Sequence, residues 1–211
     1  MPFSLPPLYP ILDASFLPGE NRAEFLRQIV SELGDAGVTL LQYRNKLGSD
    51  AEILADAAVI KEAAASRLML IMNDRADLAM RSGFNGVHVG QEDVSAEIAR
   101  RLVGADGVVG ISTHNHRQLH AAEQMPVDYI AIGPVFATAS KLNPDPVVGL
   151  AGVREARAFT TKPLVAIGGI TLENAASVRD AGADSVAVIS ALFEAGRNSA
   201  KIAKDFLRIF R

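Results

Sequence analysis

The stretch Gly37-Val38-Thr39-Leu40-Leu41-Gln42-Tyr43-Arg44-Asn45-Lys46 joins an apolar run to a polar end. Residues 37–41 are typical of a buried strand, and the polar residues follow where we expect that strand to end. Residues two apart share one face of a strand, so Gln42, Arg44 and Lys46 are predicted to project together. Two cations and an amide on one face suit an anionic ligand, although a strand that merely reaches solvent would show the same pattern.

The same unit, an apolar run followed by a helix-forming segment, recurs along the chain. We predict eight strands, which start near residues 8, 38, 68, 86, 107, 127, 163 and 183. Strict alternation of apolar strands with helices is typical of a parallel sheet covered by helices. Eight units without a linker predict an α/β fold, a single (β/α)8 TIM barrel over residues 1–211. A proline-rich lead at about residues 1–7 precedes the first strand, and a long irregular segment, residues 133–148, follows the sixth.

An open, doubly wound sheet is the alternative fold. That fold places a glycine-rich turn directly after the first strand. The residues at this point are Asp13-Ala14-Ser15-Phe16, which contain no glycine. The sequence therefore favours the closed barrel.

Composition excludes several classes of function. The 211 residues carry a formal net charge of -3, which argues against a general partner among nucleic acids or acidic membranes. The chain has no cysteine, so disulfides, thiolate catalysis and cysteine-ligated metals are excluded. Residues 1–10 hold four prolines and no basic residue, and no apolar run approaches the roughly 18 residues of a membrane span. We expect a soluble, cytoplasmic protein that is either a monomer or a homo-oligomer.

Polar residues or glycines follow seven of the predicted strands. In a barrel these positions meet at one rim, where catalytic groups lie. The candidates are Gln42, Arg44 and Lys46; Asn73 and Asp74; Asp93; Ser112 and His114; Thr138, Ser140 and Lys141; Gly168 and Gly169; Ile189 and Ser190. Their coincidence at one rim indicates a functional site more strongly than any single residue does.

The segments after strands seven and eight suit a phosphate. Gly168-Gly169-Ile170 and Ile189-Ser190 lie where barrels often bind this group. Glycine lets backbone N–H groups approach an anion, and a helix N-terminus adds a favourable dipole. The alternative is that the glycine pair only turns the strand into the helix.

Two aspartates and the long loop allow two interpretations each. Asp74 and Asp93 follow neighbouring strands, and with the Asn73 amide they suit an octahedral Mg²⁺ site. Either aspartate would also suit a helix N-cap. Residues 133–148 are consistent with a lid that carries Thr138 over the site or with a surface excursion.

The four histidines differ in their predicted roles. His116 and His120 lie four residues apart on a helix but lack a third metal ligand, so we interpret them as surface residues. His88 lies within an apolar strand and is predicted to be a hydrogen-bonded core residue. His114 follows strand five at the rim and is a candidate acid or base.

Taken together, these motifs resemble the thiamine phosphate synthase family over nearly the whole chain and in order. The matching segments are Gln42-Tyr43-Arg44-Asn45-Lys46, Asn73-Asp74, His88-Val89-Gly90-Gln91-Glu92-Asp93, Ser112-Thr113-His114, Gly133-Pro134-Val135-Phe136-Ala137-Thr138, Lys141, Gly168-Gly169-Ile170 and Ile189-Ser190. The resemblance implies a (β/α)8 barrel and a transferase that joins an aminopyrimidine methyl diphosphate to a thiazole phosphate with release of diphosphate.

The resemblance also implies a role for each motif residue. Gln42 would position the pyrimidine, and its diphosphate would be bound by Arg44, Lys46, Asn73, Ser112 and Lys141. Arg44, Lys46, Ser112 and Lys141 would be the catalytic residues, while Asp74 and Asp93 would hold Mg²⁺. The thiazole phosphate would be bound by Thr138, Ser140, Gly169, Ile189 and Ser190. Ser140 stands where the family commonly has threonine, and Asn45 where an acidic residue is frequent.

Two alternative functions remain at the level of sequence. A thiazole tautomerase of the same superfamily shares the barrel and phosphate site but depends on a histidine such as His114. A non-catalytic sensor of a thiamine precursor would bind phosphate alone. The cations and aspartates of the implied diphosphate site favour the synthase over both.

Overall fold

Eight parallel strands follow one another around a closed barrel, and the last pairs with the first. The protein is described from a computed structural model that covers residues 3–138, 145–194 and 196–210. The strands are β1 (Leu8–Asp13), β2 (Leu40–Arg44), β3 (Met69–Asn73), β4 (Gly86–Val89), β5 (Val108–Thr113), β6 (Tyr129–Ile132), β7 (Leu164–Ile167) and β8 (Ser185–Val188). This order confirms the predicted (β/α)8 architecture.

Helices connect the strands and cover the outside of the barrel. They are α1 (Arg22–Asp35), α2 (Asp50–Ala64), α3 (Ala76–Ser82), α4 (Ala96–Val103), α5 (His116–Glu123), α6 (Gly149–Phe159), α7 (Ala175–Asp180), α8 (Ser190–Phe193) and α9 (Ser199–Ile209), with a short 3-10 turn at Ala14–Phe16. Side-chain caps fix several of their starts, since Ser49, Ser95 and Asn115 each accept a bond from a backbone N–H of the first turn. No helix of the described residues is long and apolar enough to cross a membrane.

The second strand starts two residues later than predicted. The strand begins at Leu40, three residues after Gly37, and it includes Gln42 and Arg44 rather than ending before them. Gly37 has φ +95, a left-handed conformation that a strand does not contain. Ala36 and Gly37 therefore form a turn after the helix, and Val38 and Thr39 lead from it into the strand.

Alternation along the strands separates two apolar layers. The outer layer packs strands against helices and includes Leu12, Leu41 and Val87. The inner layer fills the barrel, and its buried residues are Tyr9, Ile11, Leu40, Ile71, Val108, Tyr129, Ala131, Val165 and Ala187. Side chains at the carboxyl end of a strand face the rim of the barrel when they point to the same side as the inner layer.

The start of the long segment after β6 is held against the end of β7. The Val135 N–H donates to the Ile167 carbonyl over 2.8 Å, and the Phe136 N–H donates to the Gly168 carbonyl over 3.0 Å. The predicted loop thus begins as an ordered segment bonded to the carboxyl end of β7. Two predicted site residues in this loop, Ser140 and Lys141, lie outside the described residues.

Candidate functional site

An open pocket of about 1490 Å³ lies at the carboxyl ends of the strands. Every predicted site residue that the structure describes lines this pocket: Gln42, Arg44, Lys46, Asn73, Asp74, Asp93, Ser112, Thr138, Gly169, Ile189 and Ser190. Side chains from distant parts of the chain meet here because parallel strands bring all their carboxyl ends to one rim.

The alternation predicted for the stretch after Leu41 is confirmed. Gln42 is buried inside the barrel, where its Nε2 donates to the Tyr9 hydroxyl over 2.9 Å. Tyr43 points the other way, toward the helices, and its hydroxyl donates to Asp56. Asn45 points to the same side as Tyr43, since its Nδ2 donates to the Tyr43 hydroxyl over 3.1 Å.

Asp13 is a residue of the site that the sequence analysis did not select. It ends β1 beside Arg44, which ends β2, and the Arg44 guanidinium donates to its carboxylate. Burial would raise the pKa of Asp13, but hydrogen bonds from Ser15 and the charge of Arg44 hold it below its usual value. The rule that selected the other rim residues, a polar side chain at the end of a strand, would also have found Asp13.

A second group of charges lies at the ends of β3 and β4. Lys46 donates to the Asp74 carboxylate, and Asp93 lies within hydrogen-bonding reach of Asp74. Burial and the neighbouring Asp93 raise the pKa of Asp74 to about 6, although Lys46 opposes the shift. The two carboxylates therefore share a site that favours a proton or a cation between them.

The alternative interpretation of these aspartates as helix N-caps is wrong. The N-cap of α3 is Arg75, which makes no side-chain cap, and Asp74 adopts a left-handed φ of 61. The N-cap of α4 is Ser95, while Asp93 accepts a bond from the Gly90 N–H over 2.8 Å. Both carboxylates are thus placed by the rim loops rather than by helix starts.

His88 is a buried, hydrogen-bonded residue, as predicted. Its Nδ1 lies 2.9 Å from the Tyr129 hydroxyl and its Nε2 lies 2.8 Å from Ser112 Oγ. Burial lowers the pKa of His88 to about 4, so the ring is neutral near neutral pH. Ser112 stands at the boundary between this interior group and the pocket.

The glycine pair after β7 adopts a conformation and a packing that suit glycine. Gly168 has φ +102 and Gly169 has φ +63. A Cβ on Gly169 would lie 2.5 Å from the Ala137 carbonyl oxygen, so the backbone of the β6 loop occupies that space. The pair therefore brings two loops together at the pocket, beside Ile189 and Ser190.

The remaining histidines are placed as the sequence indicated. His114 lies at the rim, where its Nδ1 is 2.6 Å from the Gly133 carbonyl and its Nε2 is 3.5 Å from Asp145. His116 and His120 are exposed on α5 and contact the ring of Phe159. No group of three or more His, Cys, Asp or Glu side chains arranged for a metal occurs in the described ranges.

Comparison with known proteins identifies the family. The sequence model described as "Thiamine monophosphate synthase" matches residues 8–192. A thiamine-phosphate synthase of Koribacter versatilis (strain Ellin345) is 56% identical over 205 residues, which cover 97% of this chain and 96% of that protein. A thiamine-phosphate synthase of Agrobacterium fabrum is 44% identical over 176 residues, 81% of this chain and 80% of that protein.

A solved structure shows the same fold. The thiamine phosphate pyrophosphorylase from Pyrococcus furiosus superimposes with a TM-score of 0.84 at 29% identity, over 97% of this chain and 95% of that one. Sequence and fold agree. The chain belongs to the thiamine monophosphate synthase family.

Proposed function

We propose that this chain joins 4-amino-2-methyl-5-(diphosphomethyl)pyrimidine to 4-methyl-5-(2-phosphoethyl)thiazole or its carboxylate, forming thiamine phosphate and releasing diphosphate; with the carboxylate, carbon dioxide is also lost and a proton is taken up at the carbon that carried it. The observation that supports the proposal is that one pocket carries two separate groups of polar residues, a charged group that includes Arg44 and Lys46 and a glycine turn beside Ser190. Asp74 and Asp93 follow β3 and β4, whereas Gly169 and Ser190 follow β7 and β8, four strands around the barrel. Such a pocket suits two phosphorylated substrates held face to face.

The first substrate would lie along β2 to β5. Arg44, Lys46 and Ser112 would bind the diphosphate, together with Asn73 at the end of β3. Lys141 belongs to the same proposed set by resemblance. Gln42 would position the pyrimidine, since its amide lies deeper in the barrel than the cations.

Asp74 and Asp93 have the chemistry of a site for Mg²⁺. Burial and the neighbouring Asp93 raise the pKa of Asp74, and a cation between the two carboxylates would relieve their repulsion as a proton does. Magnesium is commonly held by one or two carboxylates together with substrate phosphates. When bound, Mg²⁺ would neutralise part of the diphosphate charge.

The reaction needs charge stabilisation more than proton transfer. The bond between the pyrimidine methylene carbon and the diphosphate oxygen breaks, and both electrons leave with diphosphate. The thiazole nitrogen then donates its lone pair to that carbon, so a C–N bond forms without loss of a proton. Arg44 and Lys46 would stabilise the leaving group, and the pocket would align the two substrates.

The second substrate would be held by its phosphate. Gly169 and Ile189 would offer backbone N–H groups, and Ser190 a hydroxyl, at the place where barrels often bind phosphate. Thr138 would contact the substrate from the β6 loop. We place this activity in the cytoplasm, in line with the small phosphorylated substrates.

The test is to incubate the purified chain with both substrates and Mg²⁺. Thiamine phosphate and diphosphate should appear in equal amounts, and chelation of the metal should stop their formation. Absence of both products would overturn the proposal. Conversion of the thiazole substrate alone, without the pyrimidine, would support the tautomerase hypothesis instead.

Arg44→Ala is expected to lower turnover by roughly 100-fold or more with the fold intact, because a preorganised donor to the leaving group is lost. The matched control is Arg67→Ala, which removes an exposed arginine that pairs with Asp35 over 2.5 Å, away from the pocket. Steady-state kinetics and far-UV circular dichroism measure both variants. Normal turnover in Arg44→Ala would remove this residue from the site.

A further inference from the structure

A continuous chain of hydrogen bonds crosses the interior of the barrel beneath the pocket. Gln42 Nε2 donates to Tyr9 over 2.9 Å, and the hydroxyls of Tyr9 and Tyr129 lie 2.7 Å apart. Tyr129 lies 2.9 Å from His88 Nδ1, and His88 Nε2 lies 2.8 Å from Ser112 Oγ. We call these five side chains, from five different strands, the interior chain.

The interior chain is shielded from solvent. Tyr9 is 1% exposed and Tyr129 is 0% exposed, and both belong to the apolar layer inside the barrel. Buried hydroxyl hydrogens need acceptors, because a buried donor without a partner costs about 1–3 kcal/mol. Each hydrogen of the interior chain must therefore point to a neighbour in the same chain or to the pocket.

The amide at one end sets the direction of all these bonds. An amide nitrogen only donates, so Tyr9 accepts from Gln42 and directs its own hydrogen to Tyr129. If Tyr129 donated to Tyr9 instead, the Tyr9 hydrogen would find no acceptor among the described residues. Tyr129 must then donate to His88.

The direction continues through the imidazole to the pocket. With Nδ1 as an acceptor, the neutral ring of His88 carries its hydrogen on Nε2 and donates to Ser112. The Ser112 hydroxyl hydrogen is thereby excluded from the bond to His88. It remains for a ligand in the pocket that Ser112 lines.

Rotation of the Gln42 amide would reverse every bond. Its oxygen would accept from Tyr9, the hydrogen of His88 would move to Nδ1, and Ser112 would donate to His88 rather than to the pocket. The orientation of one amide thus decides whether Ser112 is a donor toward the ligand. Only the donor state suits an anion.

We propose that the interior chain couples the amide of Gln42 to the hydroxyl of Ser112 and makes Ser112 a donor to the diphosphate of the substrate. This coupling rests on the proposed function, which supplies an anion at Ser112. Tyr9, Tyr129 and His88 are positioning residues in it. Coupling is reciprocal, so diphosphate at Ser112 also favours the Gln42 orientation that leaves its amide oxygen for the pyrimidine.

The first test reads the tautomer of His88 in the wild-type chain. Nitrogen-15 NMR of the imidazoles, with His88→Gln used to assign the signal, should show the hydrogen on Nε2 and an unprotonated Nδ1. A signal with the hydrogen on Nδ1 would overturn the proposed direction. This measurement needs neither turnover nor a folded Tyr129 variant.

The second test is a double-mutant cycle on the affinity for inorganic diphosphate with Mg²⁺. Ser112→Ala and Tyr129→Phe should each weaken binding roughly tenfold, and the double variant should bind no more weakly than Ser112→Ala. The control is Thr160→Val, which removes a buried hydroxyl that donates to Glu123, outside the interior chain and away from the pocket. Its effect on diphosphate binding should be absent in both backgrounds.

The outcomes separate the coupling from the proposed function. Additive losses in the double variant, or normal affinity in Ser112→Ala, would overturn the coupling. Absence of thiamine phosphate formation by the wild-type chain would overturn the proposed function. Normal turnover with His88 protonated on Nδ1 would overturn the coupling alone.

Discussion

Arg44 is held in place before any ligand arrives. The Asp13 carboxylate beside it has a side-chain exposure of 8%, and the Arg44 side chain one of 22%. A guanidinium with a fixed partner loses less conformational freedom when an anion binds. Removing one member of a buried ion pair leaves the charge of the other member without a partner. Asp13 therefore stabilises the fold as well as the geometry of the rim.

Asp13→Asn is expected to lower the free energy of unfolding by about 1–3 kcal/mol near neutral pH, because Arg44 loses its ionic partner. The folded pKa of Asp13 lies below the ordinary value of 3.8. The stabilisation is therefore present above that ordinary value and is lost as pH falls through the folded pKa.

Urea denaturation of both proteins across the acidic range measures this effect. The difference in unfolding free energy between wild type and Asp13→Asn should shrink as the pH falls below 3.8. A difference that stays constant down to strongly acidic pH would contradict the role of the Asp13 charge.

At the scale of elements, the start of α2 defines the loop that carries Lys46. Ser49 Oγ accepts from the Glu52 N–H over 3.3 Å, and Glu52 accepts from the Ser49 N–H over 2.8 Å. This capping box ends the β2–α2 turn. The turn is also held by Asn45, whose Oδ1 accepts from the Gly48 N–H over 2.8 Å.

Ser49→Ala is expected to lower the free energy of unfolding by about 1 kcal/mol, because the helix loses its N-cap acceptor. Turnover should change little, since Asn45 still holds the turn. The matched control is Ser31→Ala inside α1, where alanine is the better helix former and stability should stay equal or rise. Equal losses in the two variants, measured by urea denaturation, would contradict the capping role.

For the whole molecule, closure of the barrel requires an interior filled by side chains from every side. The ring of Tyr129 lies 5.7 Å from Phe3, 5.8 Å from Tyr9 and 5.5 Å from His88 between ring centroids. It also covers Gly110 on the neighbouring strand, where an added Cβ would meet Tyr129 Cζ at 2.0 Å. A large residue on one strand is thus matched by a glycine on the next.

Gly110→Ala is expected to destabilise the barrel by about 3 kcal/mol or more, because the added methyl displaces Tyr129 from the centre of the interior. The melting temperature should fall by roughly 6–12 °C for a chain of this size. Gly19→Ala is the control, since nothing lies within 4 Å of a Cβ at that position. A thermal melt of Gly110→Ala that matches the control would contradict this packing.

The sequence by itself determined the alternation of strands and helices and the alternation within β2 that places Gln42 and Arg44 on one face. These features depend on neighbours a few residues apart, so local periodicity reveals them. The start of β2 was placed two residues too early because Val38, which precedes the strand, is as apolar as the residues within it.

Only the tertiary structure decided the partners of the polar residues. Tyr9 and Tyr129 are 120 residues apart, and nothing in either apolar segment indicates that their hydroxyls meet. The pairing of Arg44 with Asp13 likewise depends on the register between β1 and β2. Such contacts arise when the barrel closes, because closure brings together side chains that no local pattern connects.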